Sequence, residues 1–365
     1  MKRLMIMIVL TMMGTVCYPT LYTNNYLGHI FFDRLPGARA ESMGKILSVD
    51  RGEYLLSQSN PALLADSQGI SLSYANSAPY YNYDRDQFES HFAELIYDTE
   101  KYGILSLNIH HLSLDETQMY DPPMALVDDQ NLITATYAKR FGHTLRAGLN
   151  INYYFCNYRN YDMFRRNDQT YEYTEERETN LFFDLGLSGK YHTFNSEHIE
   201  SDIIIGAYLK NIFGNDITKL GLSPRDASIL RVGASHRMLY SHPQFAISDH
   251  LIGLELAAEY QNLPGYDYRT GWKFGTEISM LDILFLRAGY YKESLDSMPH
   301  SKEHVSSTTY GAGIKIDLRR FNNDFLPLTI SLDYSSLPQP EFKAEAESEW
   351  DNFKNLSVNV RYLSF

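Results

Sequence analysis

Residues 145 to 155 read LRAGLNINYYF, and this stretch decides the fold class. Leu145, Ala147, Leu149, Ile151, Tyr153 and Phe155 fall on one side, and Arg146, Gly148, Asn150 and Asn152 on the other. Successive side chains of a strand point to opposite faces, so an apolar and a polar series offset by one residue describe a strand with two unlike surfaces. A helix would need its apolar residues three and four apart.

The same split recurs from Gly69 onward. Leu181, Phe183, Leu185 and Leu187 oppose Asp184, Gly186, Ser188 and Lys190; Ile252, Leu254, Leu256, Ala258 and Tyr260 oppose Glu255 and Glu259. Trp272, Phe274, Thr276 and Ile278 oppose Lys273, Gly275, Glu277 and Ser279, and Tyr310, Ala312, Ile314 and Ile316 oppose Gly311, Gly313, Lys315 and Asp317. Counting such runs predicts about fourteen strands, near 70-77, 88-98, 103-113, 131-140, 143-158, 179-191, 202-212, 227-240, 249-261, 270-280, 282-292, 306-318, 326-336 and 353-364. An even number returns both ends of a single-chain bacterial barrel to one side of the membrane.

A soluble sandwich turns its apolar face to a core, whereas a transmembrane barrel turns it to lipid and lines its interior with the polar face. Strands of ten or more residues, repeated this often, favour an all-β, antiparallel transmembrane barrel over residues 69-365. Closure removes the unpaired edges that hydrocarbon does not tolerate. On this reading Arg146, Asn150, Asn152, Asp184, Glu255, Glu259, Glu277 and Arg287 face the lumen, as do Arg231, Arg237 and Asp333. Charges there either tune what passes or pair with one another and fill the interior. The connections agree. Those at 78-87, 114-130, 159-178, 293-305 and 337-352 are long, those at 98-102, 141-142 and near Asp282 are short, and 192-201 and 241-248 are intermediate. Long extracellular loops alternating with short periplasmic turns is the parity of an outer-membrane barrel.

Composition narrows the classes. With Tyr 29, Phe 19 and Trp 2 the chain is rich in tyrosine, its mean hydropathy is -0.34, and beyond residue 17 no apolar run reaches the length of a membrane helix. Alternating lipid-facing and lumen-facing residues average to just such a value. A net charge of -13 without a basic patch argues against a nucleic-acid partner. At the N-terminus, Lys2 and Arg3 precede an apolar run from Leu4 to Val16 and then Cys17, the layout of a signal peptide over 1-17. A rival reading makes Cys17 the lipid-modified first residue of a lipoprotein. With Cys17 removed only Cys156 remains, which excludes a disulfide scaffold.

Residues 18-68 lack strict alternation and are read as a segment packed in or under the barrel, or else as a loose periplasmic tail, with a short helix expected near Glu41 to Leu47. Asn60-Pro61 suits a turn, because proline fixes its own φ and pushes the preceding residue towards extended geometry. That turn either belongs to a plug or simply precedes the first strand.

Within this segment LPGARAESMGKILSVDRGEYLLSQSNPALLAD, residues 35-66, resembles the N-terminal signature of the PorV/PorQ family of outer-membrane proteins, relatives of the FadL-type transporters. Gly37, Ala38, Arg39, Ala40, Met43, Gly44, Asn60, Pro61, Ala62 and Leu63 carry the likeness. YLKNIFG at 208-214, LRVGASHRM at 230-238, FLRAGYY at 285-291 and LTISLDYS at 328-335 are similar to family strands. Lys45 after Met-Gly, and Glu53 as the sole acid of the usual pair before Asn-Pro-Ala, depart from the pattern. The resemblance implies a fourteen-stranded barrel with one of two roles: a component or shuttle for type IX secretion that receives secreted cargo proteins, or a FadL-like channel for hydrophobic small molecules. It also implies that Gly37, Arg39, Met43, Gly44, Asn60, Pro61 and Ala62 form a plug or signature segment, with outer-membrane lipid as the surrounding partner.

No enzymatic signature accompanies these features. There is no GxSxG, P-loop or HExxH run, and no catalytic residue, cofactor or metal site is expected. His110 and His111 are adjacent on a strand, so their imidazoles point to opposite faces and cannot share a metal. Tyr153, Tyr260, Trp272, Tyr290 and Tyr362 fall near strand ends, where headgroup-level aromatics sit. The charged run at 162-178 either contacts a partner or is solvated.

Overall fold

The computed structural model describes residues 37–52, 54–78, 88–114, 125–167, 170–213, 228–242, 250–262, 270–298, 301–320, 326–337 and 353–363. The expected signal peptide, residues 18-36 of the 18-68 segment, Glu53 and the terminal Phe365 lie outside the described residues.

Fourteen strands follow one another in chain order. They are β1 (Ile70–Ala78), β2 (Phe88–Asp98), β3 (Ile104–Leu114), β4 (Ala125–Phe141), β5 (Leu145–Asn167), β6 (Thr170–Asn195) and β7 (Ile199–Lys210), then β8 (Ile229–Tyr240), β9 (Ile252–Asn262), β10 (Gly271–Met280), β11 (Leu284–Met298), β12 (Ser301–Asp317), β13 (Leu328–Leu337) and β14 (Phe353–Tyr362). Each is hydrogen-bonded to its sequence neighbours, and β1 closes on β14 from Ile70↔Tyr362 to Ala78↔Lys354, giving a closed antiparallel barrel.

The two faces of each strand meet opposite surroundings. On β5, Asn150 is 1% exposed and Ile151 43%. Around the barrel Leu72, Leu95, Leu107, Leu256, Leu286 and Leu332 stand exposed on the outside, while Ser73, Asn108, Thr134, Glu255, Asp333 and Asn359 are buried inside. An apolar exterior around a polar interior is the reverse of a water-soluble protein, and a closed, even-stranded barrel of this kind resides in the bacterial outer membrane. No helix among the described residues is long and apolar enough to cross a membrane, so crossing falls to the strands. Aromatics mark the rims: Tyr260 and Trp272 lie 4.9 Å apart on β9 and β10, and Tyr137 donates to the Tyr102 carbonyl at 2.6 Å beside the β2–β3 turn.

Two expectations are corrected. The connection expected at 159-178 is largely strand, since β5 runs to Asn167 and β6 starts at Thr170; likewise β11 and β12 reach Met298 and Ser301 inside the expected 293-305 loop. Apolar alternation ends where lipid ends, but backbone pairing need not: beyond the membrane neither face must be apolar, and Arg159↔Glu175 and Tyr161↔Tyr173 continue the β5–β6 ladder. Similarly β6 extends to Asn195 and β7 begins at Ile199 within the expected 192-201 connection.

The second correction concerns the N-terminal segment. Its helix, α1, spans Ala38–Ser42 instead of Glu41 to Leu47. Gly44 (φ 75) and Lys45 (φ 64) turn left-handed directly after it. Met43, Ile46 and Leu47 do have helical spacing, but a helix there could not lie flat against the barrel wall as this backbone does.

Candidate functional site

Residues 37–52 and 54–66 occupy the interior of the barrel. α1 packs on β11 to β14, and a 3₁₀ turn, Pro61–Asp66, packs on β4, β5 and β6. The start of β1, the end of β14 and the short turns at 99–103, 142–144, 196–198 and 281–283 share one end, the periplasmic end. The Arg146 guanidinium near that end holds Asp66 at 2.7 Å, which fixes the plug in the periplasmic half.

The wall is shaped to receive it. Gly148, Gly186, Gly206, Gly233, Gly275 and Gly289 face inward where the plug backbone passes, and Gly148↔Gly186, Gly206↔Gly233 and Gly275↔Gly289 are register partners. A Cβ placed on Gly275 would lie 2.5 Å from the Met43 carbonyl oxygen, and one on Gly148 would collide with the Pro61 backbone. Real Cβ atoms do not approach so closely, so glycine is required at these points for close backbone contact. Gly44 is bound on both counts: its φ is 75, and a Cβ there would meet the Tyr290 carbonyl at 2.9 Å. Its N–H donates to Thr309 Oγ1 at 3.1 Å.

Hydrogen bonds then lock the segment. Asn60 is fully buried; its Oδ1 caps the 3₁₀ turn by accepting from Ala62 N at 3.1 Å, and its Nδ2 donates to Ser48 O at 2.9 Å and to Leu187 O on the wall at 3.0 Å. Pro61 occupies the first position of that turn, where no N–H is needed. Glu259 Oε2 accepts from Leu47 N at 2.8 Å and Ser48 N at 2.6 Å. Asn150 donates to Ser57 O at 2.6 Å and to Asp184 at 3.1 Å, and Asn152 donates to the same carboxylate at 2.8 Å.

A charge cluster holds the other half of the plug. Arg39 contacts Glu255 at 3.0 Å and Glu277 at 3.1 Å and also pairs with Asp50. Arg287 bridges Glu277 and Asp333, each at 2.5 Å. Arg51 pairs with Asp202 and reaches Glu255 at 3.6 Å, while Lys190 (3.3 Å) and Arg237 (3.4 Å) also serve Asp202. Among the described residues five cations (Arg39, Arg51, Lys190, Arg237, Arg287) thus meet five carboxylates (Asp50, Asp202, Glu255, Glu277, Asp333), so the cluster is neutral. Burial opposes the charge on Arg39, but Glu277, Glu255 and Asp50 outweigh it and hold its pKa well above the ordinary value.

The residues expected in the plug or facing the lumen lie inside the barrel, Arg231 donating to Gln261 at 3.0 Å. Arg39, Glu255, Glu277 and Arg287 meet in one cluster; Arg146, Asn150, Asn152 and Asp184 meet at the Ser57–Asp66 half of the plug; Glu259 sits between, with Lys273 at 3.4 Å. Gly37 precedes α1 and is buried, and Met43 presents its carbonyl to the glycine wall. Asp50, Arg51, Asp202 and the inward Glu94 and Asn108 were not singled out: the first two lie in a segment without periodicity, and the others read only as polar-face residues. Inward glycines on successive strands were the available signal for the plug track. His110 is buried inside and His111 lies on the outer face, and among the described residues no group of His, Cys, Asp or Glu could hold a metal.

Above the plug, the inward face changes character. Ala75, Phe92, His110, Leu132 and Tyr154 are successive register partners across β1 to β5, a row that is apolar and aromatic apart from its histidine. Below the plug, in the same sector, a cavity of about 470 Å³ opens at the periplasmic end, lined mostly by polar and charged residues, among them Asp98, Glu100, Lys101, Lys139 and Arg140, with Ala65 of the plug.

No family model matches the chain, and no curated protein matches it. Among solved structures it is similar to a Pseudomonas aeruginosa FadL homologue, at 10% identity over 95% of this chain and 99% of that one, with a TM-score of 0.44. The Ralstonia pickettii toluene transporter TbuX (9% identity, 90% and 98% covered, TM-score 0.44) and the Pseudomonas putida toluene transporter TodX (10%, 93% and 97%, TM-score 0.44) are also similar. A likeness at this level bears on neither substrate nor mechanism.

Proposed function

We propose that the chain is an outer-membrane channel for small hydrophobic molecules, closed at rest by residues 37–66. The observation that carries this reading is the inward row Ala75, Phe92, His110, Leu132 and Tyr154 above the plug, apolar and aromatic apart from its histidine, with the 470 Å³ cavity at the periplasmic end of the same sector. A water-filled pore has a polar lumen; an apolar layer inside an otherwise polar barrel lowers the free energy of an apolar solute by removing its surface from water. The signature residues Gly37, Arg39, Met43, Gly44, Asn60, Pro61 and Ala62 are all occupied in building and seating the plug, so the sequence resemblance supports a plugged barrel of the FadL-like kind. No catalytic step belongs to this reading.

The test is uptake. In an outer-membrane host stripped of its own hydrophobic-compound transporters, the expressed chain should raise uptake of a labelled arene several-fold over a host carrying an empty vector. Equal uptake, with the barrel shown to be folded in the outer membrane, refutes the reading.

One observation favours a second reading, a component of or shuttle for type IX secretion as in the PorV/PorQ resemblance. β5 and β6, of 23 and 26 residues, stand well beyond β7, whose pairing to β6 begins only at Leu185↔Leu209. Such a hairpin is suited to receiving a protein. Retention of secreted cargo C-terminal domains by the purified barrel, abolished by trimming the hairpin, would support it; no retention sinks it.

A further inference from the structure

Glu94 and Asn108 stand opposite one another on β2 and β3, at 1% and 0% exposure. Each gives one polar atom to the plug or wall: Glu94 Oε1 accepts from Ser57 N and from Ser106 Oγ, both at 3.1 Å, and Asn108 Nδ2 donates to Ser57 Oγ at 2.6 Å. The remaining oxygens, Glu94 Oε2 and Asn108 Oδ1, are buried with no hydrogen-bond donor among the described residues. Directly opposed residues on paired strands hold their Cβ atoms about 5 Å apart, so these two acceptors belong to one place. Buried acceptors are nearly always met by a donor.

That place adjoins the apolar row. Phe92 is two residues from Glu94 on the same face, and Tyr54, Leu55, Ala75 and Phe92 form one buried apolar cluster. In the covering segment Ser57 is tied to Glu94, Asn108 and Asn150, and Tyr54 and Leu55 are the more weakly bonded part. Leu55 is left-handed at φ 59, a strained conformation for leucine, and among the described residues neither Tyr54 OH nor Gln58 Nε2 has a hydrogen-bond partner. The ion pairs of Arg39 and Arg51 all lie on the opposite wall, on β7, β9 and β10, or within the plug itself.

We propose that Glu94 and Asn108 are the polar end of a ligand subsite whose apolar part is Ala75, Phe92, Leu132 and Tyr154, and whose ligand is a small apolar molecule carrying a hydroxyl donor, an alcohol or phenol. The inference rests on the channel reading and narrows it. The ligand displaces Tyr54 and Leu55, leaves Ser57 on its partners, puts its ring or chain on the apolar row and shares its single hydroxyl proton between the two neighbouring oxygens. A carboxylate would set its charge against Glu94 and is disfavoured; a plain hydrocarbon leaves both acceptors unmet.

The experiment uses the full chain in the stripped host and three labelled probes of one ring size: a phenol, its parent arene and the corresponding benzoate. Wild type should take up phenol about tenfold faster than arene after subtraction of the vector control, and benzoate slowest. In Glu94→Gln the new amide supplies Asn108 with a donor and removes the carboxylate, so the phenol preference should fall to near unity and benzoate should gain. Asn108→Leu, which removes one acceptor and adds no charge, should cut the preference and keeps the question answerable if Glu94→Gln fails to fold. An unchanged phenol preference in a folded variant overturns the inference, as does arene uptake without phenol preference in wild type, which leaves the channel reading intact. If no probe enters above control, the channel reading falls and this inference with it.

Discussion

Replacing Arg39 with methionine should unseat the plug. Arg39 is the member of the neutral five-against-five cluster that touches Asp50, Glu255 and Glu277 together. Methionine fills much of the volume but leaves three carboxylates in a water-poor interior with one compensating charge fewer. Removing one partner of a buried ion pair costs about 3 to 5 kcal/mol, because a charge is left uncompensated. At about 1.4 kcal/mol per factor of ten, this shifts the ratio of seated to unseated plug by about 100-fold to 3,000-fold. Planar-bilayer recording reads that ratio directly. The wild-type barrel should be almost silent, and Arg39→Met should show ion-conducting openings whose total open time rises by at least about 100-fold. Arg39→Lys keeps the charge but not the planar fork that reaches several carboxylates, and should fall between. Adding Glu277→Gln to Arg39→Met removes one orphaned charge and should close the barrel part-way. An Arg39→Met barrel that migrates as folded yet is as silent as wild type would refute the argument that this cluster holds the plug.

Other perturbations follow from the same geometry. Gly275→Val forces a side chain into the Met43 backbone, 2.5 Å from its carbonyl oxygen, and should either open the pore in the same recordings or cost more than the usual 1 to 3 kcal/mol, roughly, of overpacking in denaturant titration. Asn60→Ala removes the cap on Ala62 and the bonds to Ser48 and Leu187, and at about 1 kcal/mol per bond should lower unfolding free energy by about 2 to 4 kcal/mol; a change under half a unit would contradict the role given to this residue. Leu107→Arg places a cation on the lipid face and should destabilise the barrel in liposomes by about 2 to 4 kcal/mol, while Thr134→Ser on the inner face of β4 should leave stability nearly unchanged.

The barrel was legible because lipid enforces a rule at every second residue: Leu149, Ile151 and Tyr153 must be apolar whatever their neighbours do, so the pattern survives in the sequence. Above the bilayer that rule lapses, which is why the β5–β6 ladder past Tyr158 reads as a loop. The plug was legible as a segment without alternation, packed in or under the barrel or else a loose tail, and its signature residues only through their resemblance to a family. Its helix was misplaced because Met43, Ile46 and Leu47 have helical spacing, whereas tertiary fit against Gly275 and Gly289 turns the chain left-handed at Gly44 and Lys45. Glu255, Glu277 and Arg287 could be assigned to the interior from alternation. Their partners Arg39 and Arg51 could not, because pairing across more than 200 residues leaves no local trace, and Asp50, which pairs with Arg39, lies in a segment without periodicity.

The central claim is that neighbouring residues on β5 face lipid and an enclosed, plugged interior by turns. Spin labels placed singly at positions 149 to 153, in a Cys156→Ser background reconstituted in bilayers, test it through collision rates with oxygen, which concentrates in hydrocarbon. High rates at 149, 151 and 153 alternating with low rates at 150 and 152 are expected; uniform rates, or high access to a water-soluble reagent at every position, would contradict the account.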